Sequence, residues 1–351
     1  MNRIFTVGYI FVLLCFICSG CTTPQDIYKA AFPTLVDGKY DSEFPNNSSS
    51  KQLEEIGNTV KMVNTLCFYS SHTFTPEANI TLENITDDVI DQYSESVTFF
   101  NHTASGTATV ITSSINSVTL LTCAHIVNFP ERIVSYYPND LGGYSDKVQS
   151  IAIKEKQTLW VIGLPDRGEV DLLIADDNLD IAILGKQYRS DTFFSQESFN
   201  YPIGEAKELV WGSFVYIFGY PLNYKMITKG IVSSPNRNND GSFLLDAVFN
   251  KGYSGGIVLA IRDGVPNFEI VGLVKSVPSD VEYYLKPATT EKGQEINPAA
   301  PYTGQIYADK RQNMKYGITK VIPIEAIIEY IKDNESELEK LGYSLATFVK
   351  K

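Results

Sequence analysis

Short apolar runs bounded by Gly, Pro, Asn or Asp recur along most of this chain. They include "VKMVNTLCFYS", "ESVTFF", "GTATVITS", "SVTLLTCA", "RIVSYY", "TLWVIGL", "VDLLIAD" and "DIAILGK". After a loop-rich stretch come "LVWGSFVYIFGY", "KMITKGIVSS", "SFLLDAVF", "GGIVLAI" and "FEIVGLVKSV". Five to eight residues rich in Val, Ile, Thr and Tyr, punctuated by turn formers, is the strand pattern. Many such segments without long helices between them predict an antiparallel sandwich or a pair of barrels. Helical spacing appears only near the end, where Ile324, Ile327, Ile328 and Ile331 predict a terminal helix packed on the body. Residues 278–313 show no period and read as a long surface insertion.

The two ends of the pattern differ from the middle. Asn2 and Arg3 precede an almost uncharged run that stops at Ser19-Gly20-Cys21, the order of a secretory leader. Ser-Gly-Cys resembles the bacterial lipobox, which implies lipidation of Cys21 and export to the bacterial cell envelope, in the periplasm or on the cell surface. Cys18 stands where that motif usually has Leu. An uncleaved membrane anchor is the competing reading. Residues 22–58 are polar and uneven, with "NNSSSK" inside them, and read as a tether. The expected organisation is therefore a leader over 1–21, a tether over 22–58, a folded domain over 59–335 and a helical tail over 336–351.

Composition narrows the function. Of 351 residues, 41 are acidic and 29 basic, a net charge of −12, and no Lys/Arg cluster tracks a phosphate backbone. Nucleic-acid binding is therefore not expected. With Cys15, Cys18 and Cys21 in the leader, Cys67 and Cys123 remain. In an oxidising compartment they form either one disulfide or two small buried hydrophobes.

The chain has three histidines, and one of them, His125, ends the apolar run "LLTCAHIV". A core histidine is the ordinary explanation. Two other segments argue for chemistry. "NKGYSGG", residues 250–256, spends three glycines around Ser254, which is costly unless backbone N–H groups must turn inward. The N–H groups of Gly252 and Ser254 then converge on one point and can hold an oxyanion. In "ADDNLDIAILGK", Asp180 enters an apolar strand, where a buried carboxylate can orient an imidazole through its Nδ1–H. Asp171, Asp176 and Asp177 compete for that role, and an Asp at a strand-entering turn is also commonly structural.

Together these segments resemble the trypsin-like serine proteases of chymotrypsin fold, and the HtrA-like bacterial branch in particular. "TCAH", "DDNLDIAIL" and "DAVFNKGYSGGIVL" stand in the family's order His, Asp, Ser. "GTATVI" and "FGYPLNYKMITKGIVSS" fit neighbouring family strands, so the likeness spans about residues 56–335. It implies an all-β fold of two six-stranded antiparallel barrels, a chymotrypsin-like double barrel, with a C-terminal helix. It also implies peptide hydrolysis by His125, Asp180 and Ser254, an oxyanion hole at Gly252 and Ser254, protein or peptide substrates, and neither metal nor cofactor. Val248 and Phe249 fall at the pocket for the side chain before the scissile bond, so small or apolar residues are expected there. Asp246 overturns that if the register shifts. Too few residues follow Ser254 for the PDZ domain common in the HtrA branch.

Two departures stand out. Tyr253 precedes the serine where digestive members have Asp, so activation by insertion of a new N-terminus is not expected. Lys275 lies on the substrate-pairing strand, either touching substrate or, the favoured reading, reaching solvent. These departures keep open an alternative role as a catalytically silent binding module or sensor. An unrelated adhesin with chance motifs is the remote rival, and the sequons at Asn79, Asn84 and Asn101 would fit a glycoprotein.

Overall fold

The computed structural model describes residues 36–350 except 46, 140–142, 190–195, 238, 248–249, 277–278, 288–298, 300, 302 and 315–316. The leader with Cys21, and the pocket residues Val248 and Phe249, lie outside the described residues.

The strand-rich pattern resolves into two barrels. In the first, β1 (Val60–Thr73), β2 (Ser96–Ser113), β3 (Ser117–Thr122), β7 (Ile181–Gln187), β6 (Glu169–Asp176) and β5 (Tyr144–Val161) form a ring. Pairing of β1 with β5 closes it, and β4 (Arg132–Pro138) is added to β5 as an outer strand. The second barrel closes in the order β10 (Ser242–Asp246), β15 (Thr319–Pro323), β12 (Phe268–Ser276), β11 (Ile257–Ile261), β8 (Phe214–Gly219), β9 (Met226–Arg237). All the ladders are antiparallel. One continuous apolar core runs through both barrels, from Leu120 and Ile183 in the first to Val258, Phe243 and Leu273 in the second. Full burial of each such side chain contributes about 1.5–3 kcal/mol, and the shared core ties the two barrels together.

Two segments differ from their sequence reading, and the tail is packed in place. Residues 279–314 are not featureless: β13 (Ser279–Pro287) pairs with β14 (Ile306–Met314) as a separate antiparallel hairpin. The tail packs against the barrels. After helix α4 (Ile324–Asp333), helices α5 (Glu335–Lys340) and α6 (Ala346–Val349) bury Leu338, Leu345 and Phe348, and Tyr343 sits against Gly185 of the first barrel. The expected tether is packed from residue 40 onward. Asp41 donates its N–H to Ile261 O and accepts from Phe214 N at its carbonyl. Tyr40 OH donates to Glu269 Oε2 at 2.7 Å, and helix α1 (Ser50–Thr59) buries Ile56. The composition is polar, but the few apolar residues fall where the second barrel offers a surface.

The disulfide is absent. Cys67 and Cys123 are both free and buried, Cys67 in a small cluster with Tyr69 and Ala152 and Cys123 in the main core. Their places in the apolar packing, rather than their redox chemistry, account for both.

The strap at Asp41 carries an electrostatic cost. Its side chain is buried; Oδ2 accepts from Gly264 N at 3.0 Å, and Oδ1 has no partner. Burial, with Glu43, Asp263 and Asp37 adding to it, pushes its pKa from 3.8 up to about 6. The folded state therefore binds this proton more tightly than the unfolded chain. The stability it contributes is complete below pH 3.8 and lost as pH rises through about 6. Asp41→Asn keeps the acceptor for Gly264 and removes the charge. Urea denaturation should show the variant gaining over the parent at pH 7 and little difference at pH 4; equal shifts at both pH values would contradict this origin.

Candidate active site

Strand β3 delivers the first side chain. It runs into a one-turn helix, α3 (Ala124–Val127), in which Ala124, Ile126 and Val127 are buried and His125 alone faces outward, its side chain 46% exposed. The turn is fastened from below, because Thr65 Oγ1 donates to Ile126 O at 2.6 Å and Thr122 Oγ1 donates to Thr107 O at 2.7 Å.

The β6–β7 turn delivers the second. Asp176 Oδ1 accepts from the N–H groups of Asn178 and Leu179, and Asp180 N donates to Asp176 O. The turn leaves Asp180 at φ 65°, a left-handed conformation that Asp tolerates better than most residues and that clusters at functional sites. Its carboxylate is 7% exposed and meets His125 Nδ1 with both oxygens at 2.9 Å, while Oδ1 also accepts His125 N at 3.0 Å. Held this way, the ring presents Nε2 as its remaining nitrogen. The competing aspartates are accounted for: Asp176 builds the turn, Asp177 accepts from Asn128 Nδ2, and Asp171 is exposed opposite Gly185.

The glycines around Ser254 answer to close packing. Gly252 has φ 108°, and a Cβ there would overlap the Tyr220 carbonyl oxygen; Gly255 has φ 79°, and a Cβ would overlap Thr107 O. The Lys251 carbonyl accepts from Leu222 N, and the Gly252 carbonyl accepts from Thr107 Oγ1 at 2.6 Å. Both carbonyls are thereby turned to fixed partners. Among the described residues no acceptor takes the N–H of Gly252 or of Ser254, so two donors flank the serine hydroxyl uncommitted. Tyr253 is buried with its ring against Gly219, which has no side chain to obstruct it.

His125, Asp180, Gly252, Ser254 and Lys275 line one cleft of about 1260 Å³ between the barrels, together with Phe129, Trp160 and Tyr220. No hydrogen bond joins Ser254 Oγ to His125 in this structure. Lys275 does not simply reach solvent: Nζ donates to Asn178 O and Leu179 O at 3.3 and 3.4 Å. A cation on the second barrel thus grips the carbonyls of the turn that aims Asp180. Asp246 is exposed at the end of β10 and does not line the cleft. Cys123, His125 and Asp180 offer ligand atoms within 4.8 Å of one another. As a metal set they fit poorly. Burial pushes the Cys123 thiol well up, its Sγ donates to Val274 O, and the carboxylate is already engaged by the imidazole.

Thr107 is the residue that sequence reasoning passed over. Fully buried, it donates N–H to Ser254 O, donates Oγ1–H to Gly252 O, accepts from Tyr220 N at Oγ1, and accepts from Thr122 at its carbonyl. Its signal was present in "GTATVI", where a hydroxyl inside a buried strand must find partners. Thr107→Val leaves a carbonyl and an N–H unpaired, and should cost about 2–4 kcal/mol in chemical denaturation, with Thr107→Ser recovering most of it. A loss below about 0.5 kcal/mol, the range of an ordinary surface change, would refute the role.

Comparison with known proteins follows the same outline. Residues 106–272 match the family model of the trypsin-like peptidase domain. Among solved structures, the serine endoprotease from Yersinia pestis is similar at 17% identity and a TM-score of 0.39, over 83% of this chain and 67% of that one. The inactive form of Rv3671c protease is similar at 15% identity and a TM-score of 0.30, over 68% of this chain and 86% of that one. No curated protein matches. The stretch from Gly106 to Gly272, which holds His125, Asp180 and Ser254, is thus similar to a trypsin-like peptidase domain.

Proposed function

We propose that this protein is a serine endopeptidase in which His125, Asp180 and Ser254 act as base, orienting carboxylate and nucleophile. The observation that carries the reading is the two-oxygen grip of Asp180 on His125 Nδ1, in one cleft with a serine whose flanking N–H groups are uncommitted. The match of residues 106–272 to the peptidase family model supports it.

The steps follow from the groups present. Ser254 Oγ attacks a peptide carbonyl while His125 Nε2 takes the hydroxyl proton, and the carbonyl oxygen becomes an oxyanion held by Gly252 N–H and Ser254 N–H. The imidazolium gives its proton to the leaving amine as the C–N bond breaks. Water then repeats the sequence on the acyl-enzyme and frees Ser254. Asp180 stays ionised, fixes the tautomer and stabilises the imidazolium. The Ser254–His125 hydrogen bond closes as substrate binds, as contacts of this kind commonly do. Cleavage after small or apolar side chains belongs to this reading, on the sequence at Val248 and Phe249 and the position of Asp246 outside the cleft. So do export and attachment to a membrane through a lipidated Cys21.

The open Ser254–His125 pair favours one second reading, a latent or purely binding role. A fluorophosphonate serine probe separates the two. Labelling of the parent protein should vanish in Ser254→Ala and His125→Ala, and Asp180→Asn should slow it by about 10³–10⁴. Lys275→Met, which only loosens the Asp180 turn, should slow it up to about tenfold. A well-folded parent that never labels would give the second reading the lead.

A further inference from the structure

A second cavity, of about 660 Å³, shares Lys275 with the cleft and is bounded by Asn178 and Leu179 of the turn that aims Asp180. Three more cations line it: Lys207 from the short turn Ala206–Glu208, Arg237 from the end of β9 and Lys320 from β15. None of these three lines the cleft. A bulge in β12 brings Lys275 beside Lys320. Val274 pairs with Val321 and Ser276 with Lys320, so Lys275 is the extra residue between them, and a bulge re-aims the side chain it carries.

Four cations around one cavity repel one another, and a chain with 41 acidic residues has the means to pair them. It does not. Among the described residues none of the four lies in a salt bridge. The carboxylates of the same cavity are committed elsewhere or stand apart. Asp240 Oδ1 accepts from Ser242 N at 2.8 Å, Glu325 Oε1 accepts from Lys207 N at 3.1 Å, and Glu329 is exposed. Glu325 Oε2 is buried with no hydrogen-bond partner. The cavity thus offers unpaired cations together with one acceptor that lacks a donor. Buried Phe243, Val321 and Ile322 form part of its wall, where charges are screened less than at an open surface.

A ligand that meets both demands carries several ionised oxygens and at least one O–H. A phosphate chain does so at neutral pH, with ionised oxygens for the cations and a remaining P–OH for Glu325 Oε2. An ionised carboxylate accepts only. We propose that this cavity is a regulatory site for a compact oligophosphate, whose occupation draws Lys275 Nζ from the Asn178 and Leu179 carbonyls and slackens the hold of Asp180 on His125. The effect on catalysis rests on the peptidase reading; binding in the cavity does not. The exchange is favoured because the bonds from Lys275 to the two carbonyls are long, at 3.3 and 3.4 Å. A bond from ammonium to phosphate carries charge on both partners and is shorter and stronger.

The test titrates inorganic pyrophosphate into the protein by calorimetry, with ionic strength held constant by sodium chloride. The double variant Lys207→Gln/Lys320→Gln changes two exposed residues outside the cleft. Without pyrophosphate it should react with the fluorophosphonate probe at the parent rate, but it should bind pyrophosphate at least about tenfold more weakly. Saturating pyrophosphate should slow labelling of the parent up to about tenfold, to the rate of Lys275→Met, and leave Lys275→Met itself unchanged. The His125 Nδ1 proton, identified in NMR spectra by its loss in His125→Ala, should shift with pyrophosphate in the parent and not in the double variant at the same concentration. No binding, binding indifferent to the double substitution, or labelling that responds equally to sodium chloride overturns the proposal. Binding that leaves both the His125 proton and the labelling rate unmoved overturns it too, because the cavity is then not coupled to Asp180. A His125 proton that shifts with pyrophosphate in a parent that never labels keeps the site and sinks the peptidase.

Discussion

One buried threonine holds the two halves of the site in register. Thr107 belongs to the first barrel, yet three of its bonds reach the second: to Ser254 O, to Gly252 O and from Tyr220 N. Its carbonyl accepts from Thr122, three residues before His125. The loop that bears the candidate nucleophile, the loop that supports it and the turn that bears the candidate base therefore hang from a single residue. Buried polar networks of this kind are strong when every member is paired and costly when one is missing.

Around that residue the barrels divide the chemistry. The first supplies His125 on a helical turn whose other three residues are buried, and Asp180 on a turn whose left-handed φ is fixed by Asp176. The second supplies Ser254 and the backbone donors, with carbonyls committed to Leu222 and Thr107 so that the N–H groups stay free. Lys275 crosses the cleft in the opposite sense, from the second barrel to the Asp180 turn. Relative movement of the barrels would therefore disturb the acid as well as the serine.

Much of this was legible in the sequence because the signals were local. Strand periodicity, the glycines on either side of Ser254 and an Asp entering an apolar strand each reflect a constraint that acts within a few residues. Less legible were features set by long-range packing. The stretch before residue 59 looks like a tether because its polar residues outnumber the apolar ones, but Tyr40 and Asp41 meet a barrel edge that composition does not show. In sequence the two cysteines fit a disulfide or two buried hydrophobes equally, and packing decides it, each being committed to a separate cluster. Lys275 looks like a solvent-facing cation because the carbonyls that capture it lie nearly a hundred residues away in sequence. Residues 279–314 pair across a long connection, and their alternation is too weak to announce a hairpin.

The central claim is geometric: two free N–H groups and a gripped imidazole converge on Ser254. The most direct measurement is a crystal structure of the protein with a peptidyl phosphonate bonded to Ser254 Oγ. The account predicts the phosphonyl oxygen within hydrogen-bond distance of both Gly252 N and Ser254 N. It also predicts His125 Nε2 facing Ser254 Oγ, with Nδ1 still on Asp180. A phosphonyl oxygen turned away from those donors, or a Lys251 carbonyl rotated into their place, would contradict it.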